Sequence, residues 1–495
     1  MPDTGDEVIS VSKTQIDPPP ERGFGQNAYQ QTLAGLIGIV VGLSVAGFKL
    51  AIEMLREICY NDLVNYFPIC LIPVLGGLAV SLLAYAGKGE FPPGVSGVVL
   101  EVDRDAMNMN EKSKLSELGD SVRKALAAIF TLGTGCSLGP EGPAVELGIA
   151  VSRLGTLAGP FDRVSDDNVL DAVRMAARVR RNRLYLACGA AAGVSSGFNA
   201  PLSGVFFALE VIQRNLMATS IPAPAPTGLP ETESSLFELR QESLTAETGS
   251  ITSLLTSSVL SALISRAILG NELALGLMDY EIQTPLLELP LYLVLGLASG
   301  ITAVAFSQAT KLAKAAFDSS DELPSSAKPV LGGLICGVTG IFCPQILFFG
   351  YETLNSLLQN NSLPTDAVLT LLAVKIFTTA VSAGSGLVGG LLAPSLFCGG
   401  MVGASFHNIV IGTLDDIFHV SAEFGSLVLA DVPAYAIVGA ASTLAAVFRA
   451  PLTASLLAFE LTRDYDILLP LIASAGASTL ICELVEERVE ALLKR

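Results

Sequence analysis

The sequence predicts an all-α polytopic membrane protein built from two related halves with tilted and broken helices. Three observations predict it: a shortage of charge, apolar runs about as long as a bilayer is thick, and four segments that recur in order. Of the 495 residues, 51% are hydrophobic and 15% charged, with a mean hydropathy of +0.57. Soluble proteins carry about 25% charged residues, so the composition points to a bilayer as solvent.

The apolar runs fall at 31–52, 68–86, 120–138, 184–213, 252–269, 288–310, 328–349, 366–383, 387–411, 427–446 and 450–485. The chain's 47 glycines and 26 prolines interrupt most of these runs, so several read as broken or re-entrant helices. Irregular backbone at membrane depth survives only when it is buried in protein or beside a polar cavity. The pattern therefore predicts a polar pathway inside protein rather than a set of anchors.

The repeats define the halves. PVLGGL occurs at Pro73–Leu78 and again at Pro329–Leu334. KALAAIFTLGTG from Lys124 returns as KIFTTAVSAGSG from Lys375, an offset of 251 that also carries Gly139 and Pro143 of GPEGP onto Gly390 and Pro394 of GLLAP. NAPLSGVFFALEV from Asn199 matches RAPLTASLLAFEL from Arg449. The expected organisation is a polar N-terminal segment at 1–30, a first membrane repeat at 31–213, an exposed linker rich in Pro, Ser, Thr and Glu at 214–250, a second repeat at 251–485, and a short tail at 486–495.

The formal charge of −18 lies mostly outside the spans, in acid-rich patches expected to be solvated, and no basic tract invites nucleic acid. The one concentrated positive run, Arg174–Arg183, reads as a cytoplasmic flank. The eight cysteines are scattered and the two histidines lack suitable neighbours; neither a disulfide framework nor a metal site is expected, and no cofactor. With no nucleophile–base pair within the spans, an enzyme is not expected either. The N-terminal MPDTGDEVIS carries no apolar signal core and is not an Arg/Ser-rich transit peptide. Targeting therefore uses the first span, or a transit peptide was removed.

Gly-rich or Pro-containing breaks precede helical stretches at 94–97 (GVSG), 139–143 (GPEGP) and 389–394 (GGLLAP). Where repeated halves meet, discontinuous helices can aim free N–H groups and positive dipole ends at an anion. Such termini hold an anion without a full buried charge, which would bind too tightly for release. Glu141 stands inside one break. A carboxylate at bilayer depth costs several kcal/mol unless paired, solvated or protonated, and a helix N-terminus favours its charge. It can act as a tethered surrogate anion that leaves on protonation or displacement. Pro140 has no N–H, so coordinating amides begin at Glu141 and Gly142.

The set GVSGVVLEV (94–102), LGPEGPAVELG (138–148), GFNAPLSGVFFALE (197–210), GGLLAP (389–394) and RAPLTASLLAFELT (449–462) resembles the CLC family of chloride channels and proton-coupled chloride exchangers, over nearly the whole chain and in order. The resemblance implies a CLC-type inverted repeat, a homodimer with one pore per subunit, membrane lipid as surroundings, and chloride with other small anions as substrate. It places Ser96 on the serine that coordinates the central anion and Glu141 on the gating glutamate. Leu391 and Leu392 fall on the pair whose amides face the ion, Leu392 replacing the usual phenylalanine.

Three departures stand out. Val211 occupies the position of the exchangers' inner proton-transferring glutamate and cannot accept a proton. Glu210 beside it, like its match Glu460, is expected to be structural. The last helix, ending CELVEERVEALLKR, lacks the family's pore tyrosine, and Tyr465 belongs to an earlier segment. Val99 replaces a motif proline, and paired CBS modules do not occur within the 495 residues. GPEGP resembles cyanobacterial and plant plastid-type members, so the expected membrane is a chloroplast (thylakoid) or other intracellular one. The implied function is a chloride-conducting channel gated by Glu141. The alternative is a proton-coupled chloride exchanger with a non-standard proton route.

Overall fold

A computed structural model describes residues 24–65, 67–87, 91, 111–157, 168–213, 233–270, 288–320, 323–359, 363–417 and 430–493. Among the described residues the fold is all-helical, with one isolated β-bridge. The first half runs α1 (Phe24–Glu57), α2 (Ile72–Ala86), α3 (Glu111–Gly133), α4 (Glu141–Leu157), α5 (Asn168–Phe198), α6 (Pro201–Phe207) with a π-helical extension (Ala208–Gln213), and α7 (Glu233–Leu269). The second runs α8 (Leu289–Asp318), α9 (Lys328–Phe342), α10 (Tyr351–Leu358), α11 (Thr365–Gly384), α12 (Leu392–Ile417), α13 (Val432–Phe448), α14 (Pro451–Thr462) and α15 (Leu468–Leu493).

The chain is a multi-pass integral membrane protein. Among the described residues, six segments are long and apolar enough to cross a bilayer: Ala28–Asp62, Ile69–Ala86, Ser250–Leu269, Leu289–Asp318, Thr365–Gly384 and Leu468–Val489. On α1 the residues Ile37, Val41, Val45, Phe48 and Ile52 are buried, while Leu36, Val40, Leu43 and Leu50 are exposed. Both faces are apolar, as a helix between protein and lipid requires.

Small residues let the helices cross closely. A Cβ on Gly148 of α4 would lie 2.1 Å from the Gly189 carbonyl of α5, and one on Gly189 would lie 2.2 Å from the Gly148 carbonyl. The second half repeats the contact: Gly399 of α12 and Gly439 of α13 face each other's carbonyls at 2.3 and 2.4 Å. The two PVLGGL copies pack on one another. A Cβ on Gly77 would meet the Pro329 carbonyl, and one on Gly333 the Pro73 carbonyl, each at 2.3 Å.

Reciprocity of this kind marks a two-fold relation between the halves, and the helix caps share it. The backbone N–H groups of Leu202 and Ser203, which open α6, donate to Glu460 at 2.8 Å each. Those of Leu452 and Thr453, which open α14, donate to Glu210 at 3.1 and 2.7 Å. Each carboxylate thus caps a helix of the opposite half, satisfying donors that a helix start leaves open. Asn199 and Arg449, equivalent turn residues before α6 and α14, both adopt left-handed backbone (φ 60° and 53°).

The structure moves the expected boundaries. Residues 214–232 of the expected linker lie outside the described residues, and 233–250 belong to α7 rather than to a linker. From α7, Ser257, Ser261 and Ser265 donate to the carbonyls of Cys188, Ala192 and Ser196 of α5 at 3.1, 2.8 and 3.1 Å. Helix α7 therefore belongs to the first half, and the division falls after Leu269 rather than before residue 251. The run 184–213 is the end of α5, a turn, and α6; 450–485 is α14 followed by α15. Helix α1 begins at Phe24, within the expected N-terminal segment. Residues 486–493 of the expected short tail belong to α15, which runs to Leu493. Glu486 is 9% exposed and accepts from Arg449 at 2.7 Å and from Lys311 at 3.4 Å.

Candidate functional site

The site forms where the two Gly/Pro breaks meet. Helices α3 and α11 each give way to a left-handed glycine, Gly135 (φ 93°) and Gly386 (φ 90°), the usual way to stop a helix. The chain then leaves helical structure and reaches Gly139 and Gly390, which exchange two backbone hydrogen bonds of 2.8 and 2.7 Å in an antiparallel bridge. Side chains tie the same junction. Ser137 Oγ lies 3.1 Å from Thr379 Oγ1, and the Val388 N–H donates to Thr131 Oγ1 at 3.2 Å. Helices α4 and α12 start immediately beyond the bridge, so two sets of unpaired helical N–H groups converge.

Glu141, the first residue of α4, is 1% exposed. Its carboxylate reaches toward the second half, where Oε1 accepts a hydrogen bond from the Tyr351 hydroxyl of α10. Oε2 makes no hydrogen bond of ordinary geometry. The backbone amides of Glu141 and Ala393 face the carboxylate. A Cβ built on Gly139 would lie 2.5 Å from Glu141 Oε2 and 3.2 Å from the Ala393 nitrogen. The carboxylate therefore fills the space over the first turn of α12, and only glycine fits at 139. Lys49 of α1 adds a positive charge that acts on Glu141, its ammonium anchored on the Gly197 carbonyl at the end of α5.

The surrounding frame breaks the two-fold symmetry. Lys124 of α3 pairs with Glu146 of α4 at 2.8 Å. At the position equivalent to Glu146, 251 residues on, stands Phe397, so Lys375, the equivalent of Lys124 on α11, meets a ring there instead of a carboxylate. Lys375 is fully buried and donates instead to the carbonyls of Ile346 and Phe348 at 2.9 and 3.0 Å, 5.2 Å from the Phe397 ring centre. It clamps the segment that leads into Tyr351. On the far side of Tyr351 lies a cavity of about 640 Å³ lined by Arg56, Tyr60, Phe348, Tyr351 and Glu352 among others. Arg56 pairs with Glu352 and stacks 4.5 Å from the Phe348 ring centre.

Residues 96–225 and 234–483 match the family model described as voltage gated chloride channel. The chain belongs to the voltage-gated chloride channel family. It is 33% identical over 497 residues to chloride channel protein CLC-e of Arabidopsis thaliana, covering 95% of this chain and 62% of that relative. The chain thus spans less than two thirds of that protein's length. It is 26% identical over 462 residues to the H(+)/Cl(−) exchange transporter ClcA of Vibrio campbellii, covering 92% of this chain and 86% of that one. In fold it is similar to the crystal structure of a slow cyanobacterial Cl−/H+ antiporter, with a TM-score of 0.69 at 21% identity, covering 94% of this chain and 99% of that one.

Within this member of the chloride channel family, four of the residues singled out from sequence come together: Glu141, Gly142, Leu391 and Leu392. A Cβ on Gly142 would stand 2.9 Å from the Gly390 Cα. The Leu391 and Leu392 side chains join the apolar core, leaving backbone to serve the site. Ser96 and Val99 lie outside the described residues. Val211 lies in the π turn after α6, half-buried against the main core. Tyr465 sits at the bend between α14 and α15, 77% exposed. Sequence reading missed Tyr351, Lys49 and Ala393. A tyrosine directly after a glycine at a helix start (FFGYETL) and a lone cation in an apolar run were the available signals.

Proposed function

We propose that the protein is a chloride-conducting channel in which Glu141 is the gate. The observation that carries this reading is the burial of the Glu141 carboxylate over the first turn of α12, where an anion would otherwise face free amides. In this state the carboxylate fills the anion path. Protonation removes its charge, weakens its hold on two helix N-termini and lets it swing out. Chloride then takes its place, passing the amides at 391–393 and the hydroxyl of Ser96. Helix dipoles and neutral donors hold the ion loosely enough for rapid exit. Metal and cofactor have no part in the scheme. The working unit is a homodimer with one such path per subunit.

Val211 favours a channel over an exchanger. Coupled exchange needs a proton acceptor on the inner side, and valine supplies none. A second reading, a proton-coupled chloride exchanger with another proton route, is favoured by the relatives named as exchangers and antiporters.

The test is chloride efflux from proteoliposomes loaded with potassium chloride, with a potassium ionophore to carry the balancing charge. Rapid efflux that depends on the protein and on the ionophore is expected. Efflux no faster than from protein-free vesicles overturns the reading.

A further inference from the structure

Tyr351 opens α10 and is placed by three independent anchors. Gly350 before it is left-handed (φ 85°), and a Cβ there would lie 2.5 Å from the Phe397 ring, so this turn rests directly on α12. Lys375 holds the carbonyls of Ile346 and Phe348 just upstream. Arg56 of α1 pairs with the neighbouring Glu352. So fixed, Tyr351 lines the cavity of about 640 Å³ while its hydroxyl donates to Glu141 Oε1. The carboxylate cannot leave the first turn of α12 toward that cavity without breaking this bond.

The groups that bear on Glu141 are few. Helix α10 supplies the Tyr351 hydroxyl and α1 the Lys49 ammonium. Helix α3 supplies Lys124, which is engaged by Glu146 on α4 itself. Helix α5 presents the small residues Gly193 and Gly197 against the Ala144 turn of α4. Helix α12 presents the backbone amide of Ala393, and α4 the amide of Glu141 itself. A hydrogen bond to a carboxylate is about twice as strong as one between neutral groups. The Tyr351 bond therefore loses much of its strength when Glu141 takes up a proton.

We propose that Tyr351 is a positioning residue that latches the gate: its hydroxyl holds ionised Glu141 in the closed position and releases it when the carboxyl is neutral, while its ring shuts the cavity off from the anion path. This rests on the reading of Glu141 as the gate. The hydroxyl sets how acidic the medium must be before the gate opens, and the Lys49 charge bears on the same equilibrium.

The test compares chloride efflux against external pH for wild type, Tyr351→Phe, Glu141→Ala and the double variant. Phenylalanine keeps the ring and its packing and removes only the donor. Tyr351→Phe is expected to reach half-maximal flux at about tenfold lower proton concentration than wild type, the size of effect a charge-assisted bond carries. In the Glu141→Ala background the same substitution is expected to leave flux unchanged. A Tyr351→Phe profile that overlays the wild type, or an equal shift with and without Glu141, overturns the latch. If Glu141→Ala keeps the wild-type pH dependence, the gate itself fails. If Glu141→Ala flattens the profile and Tyr351→Phe does not move it, only the latch fails. Flux through the double variant also shows that the tyrosine change leaves the protein folded.

Discussion

Glu141→Ala raises chloride efflux at neutral pH about tenfold or more and flattens its dependence on pH. The magnitude follows from what holds the carboxylate in place. It is buried over the first turn of α12, faces the amides of Glu141 and Ala393, and accepts the Tyr351 hydroxyl. Each 1.4 kcal/mol of preference for the closed position is a factor of about ten in the closed-to-open ratio. Two helix termini and one charge-assisted bond supply at least that much. Alanine leaves the site open to chloride at every pH, since the surrogate anion is gone. Glu141→Gln keeps the volume but carries no charge. It is expected to lose the pH dependence while conducting more slowly than alanine, because the amide still competes for the space. Initial efflux rates from about pH 8 to about pH 5 separate the three proteins. A Glu141→Ala profile that tracks the wild type would remove the gate from this residue.

Gly148→Val and Gly399→Val are expected to abolish the folded protein. Their Cβ positions lie 2.1 and 2.3 Å from carbonyl oxygens of the crossing helices α5 and α13. Backbone at such a crossing cannot yield as a side-chain tip can, so the helices must part. Overpacking of this kind costs about 1–3 kcal/mol for a single methylene in a core, and valine adds three carbons where none fits. The consequence reaches the site, because α4 and α12 carry Glu141 and Leu392 at their first residues. Gly148→Ala, the milder change, is expected to lower the melting temperature in detergent and to disturb pH gating together. Gly47 and Gly476 serve as controls, because a methyl placed on either would have nothing within 4 Å. Alanine there is expected to be neutral or slightly stabilising, because alanine favours a helix over glycine by about 1 kcal/mol. Monodispersity and thermal unfolding of the purified variants decide it. Equal losses at Gly47 and Gly148 would contradict the close-crossing account.

What sequence revealed was whatever is written locally. The glycine breaks at 139 and 390 and the equal spacing of the repeats located the junction of the two halves, because a helix interruption and a repeat are properties of short stretches. The structural role of Glu210 and Glu460 was also legible, since each stands nine residues after the proline that starts the matching helix in its own half. Its form was not: that each caps the opposite half depends on the two-fold packing. The first turns of α7, 233–250, read as linker from sequence because they share its Ser/Thr/Glu composition. Its serines at 253, 257, 261 and 265, one per helical turn, mark a helix-packing face and were the better guide. Tyr351 is hard to place from sequence for a different reason. It approaches Glu141 from 210 residues away, through a segment held by Lys375 and Gly350, so the local pattern marks a helix start but not what the hydroxyl meets.

The central claim is an uncoupled chloride pathway closed by one carboxylate. The most direct measurement imposes a chloride gradient on proteoliposomes and records proton movement alongside chloride flux. Chloride flux without proton movement against its own gradient is the predicted result. Chloride-driven uphill proton transport would contradict it and make the protein an exchanger, with a proton route that bypasses Val211.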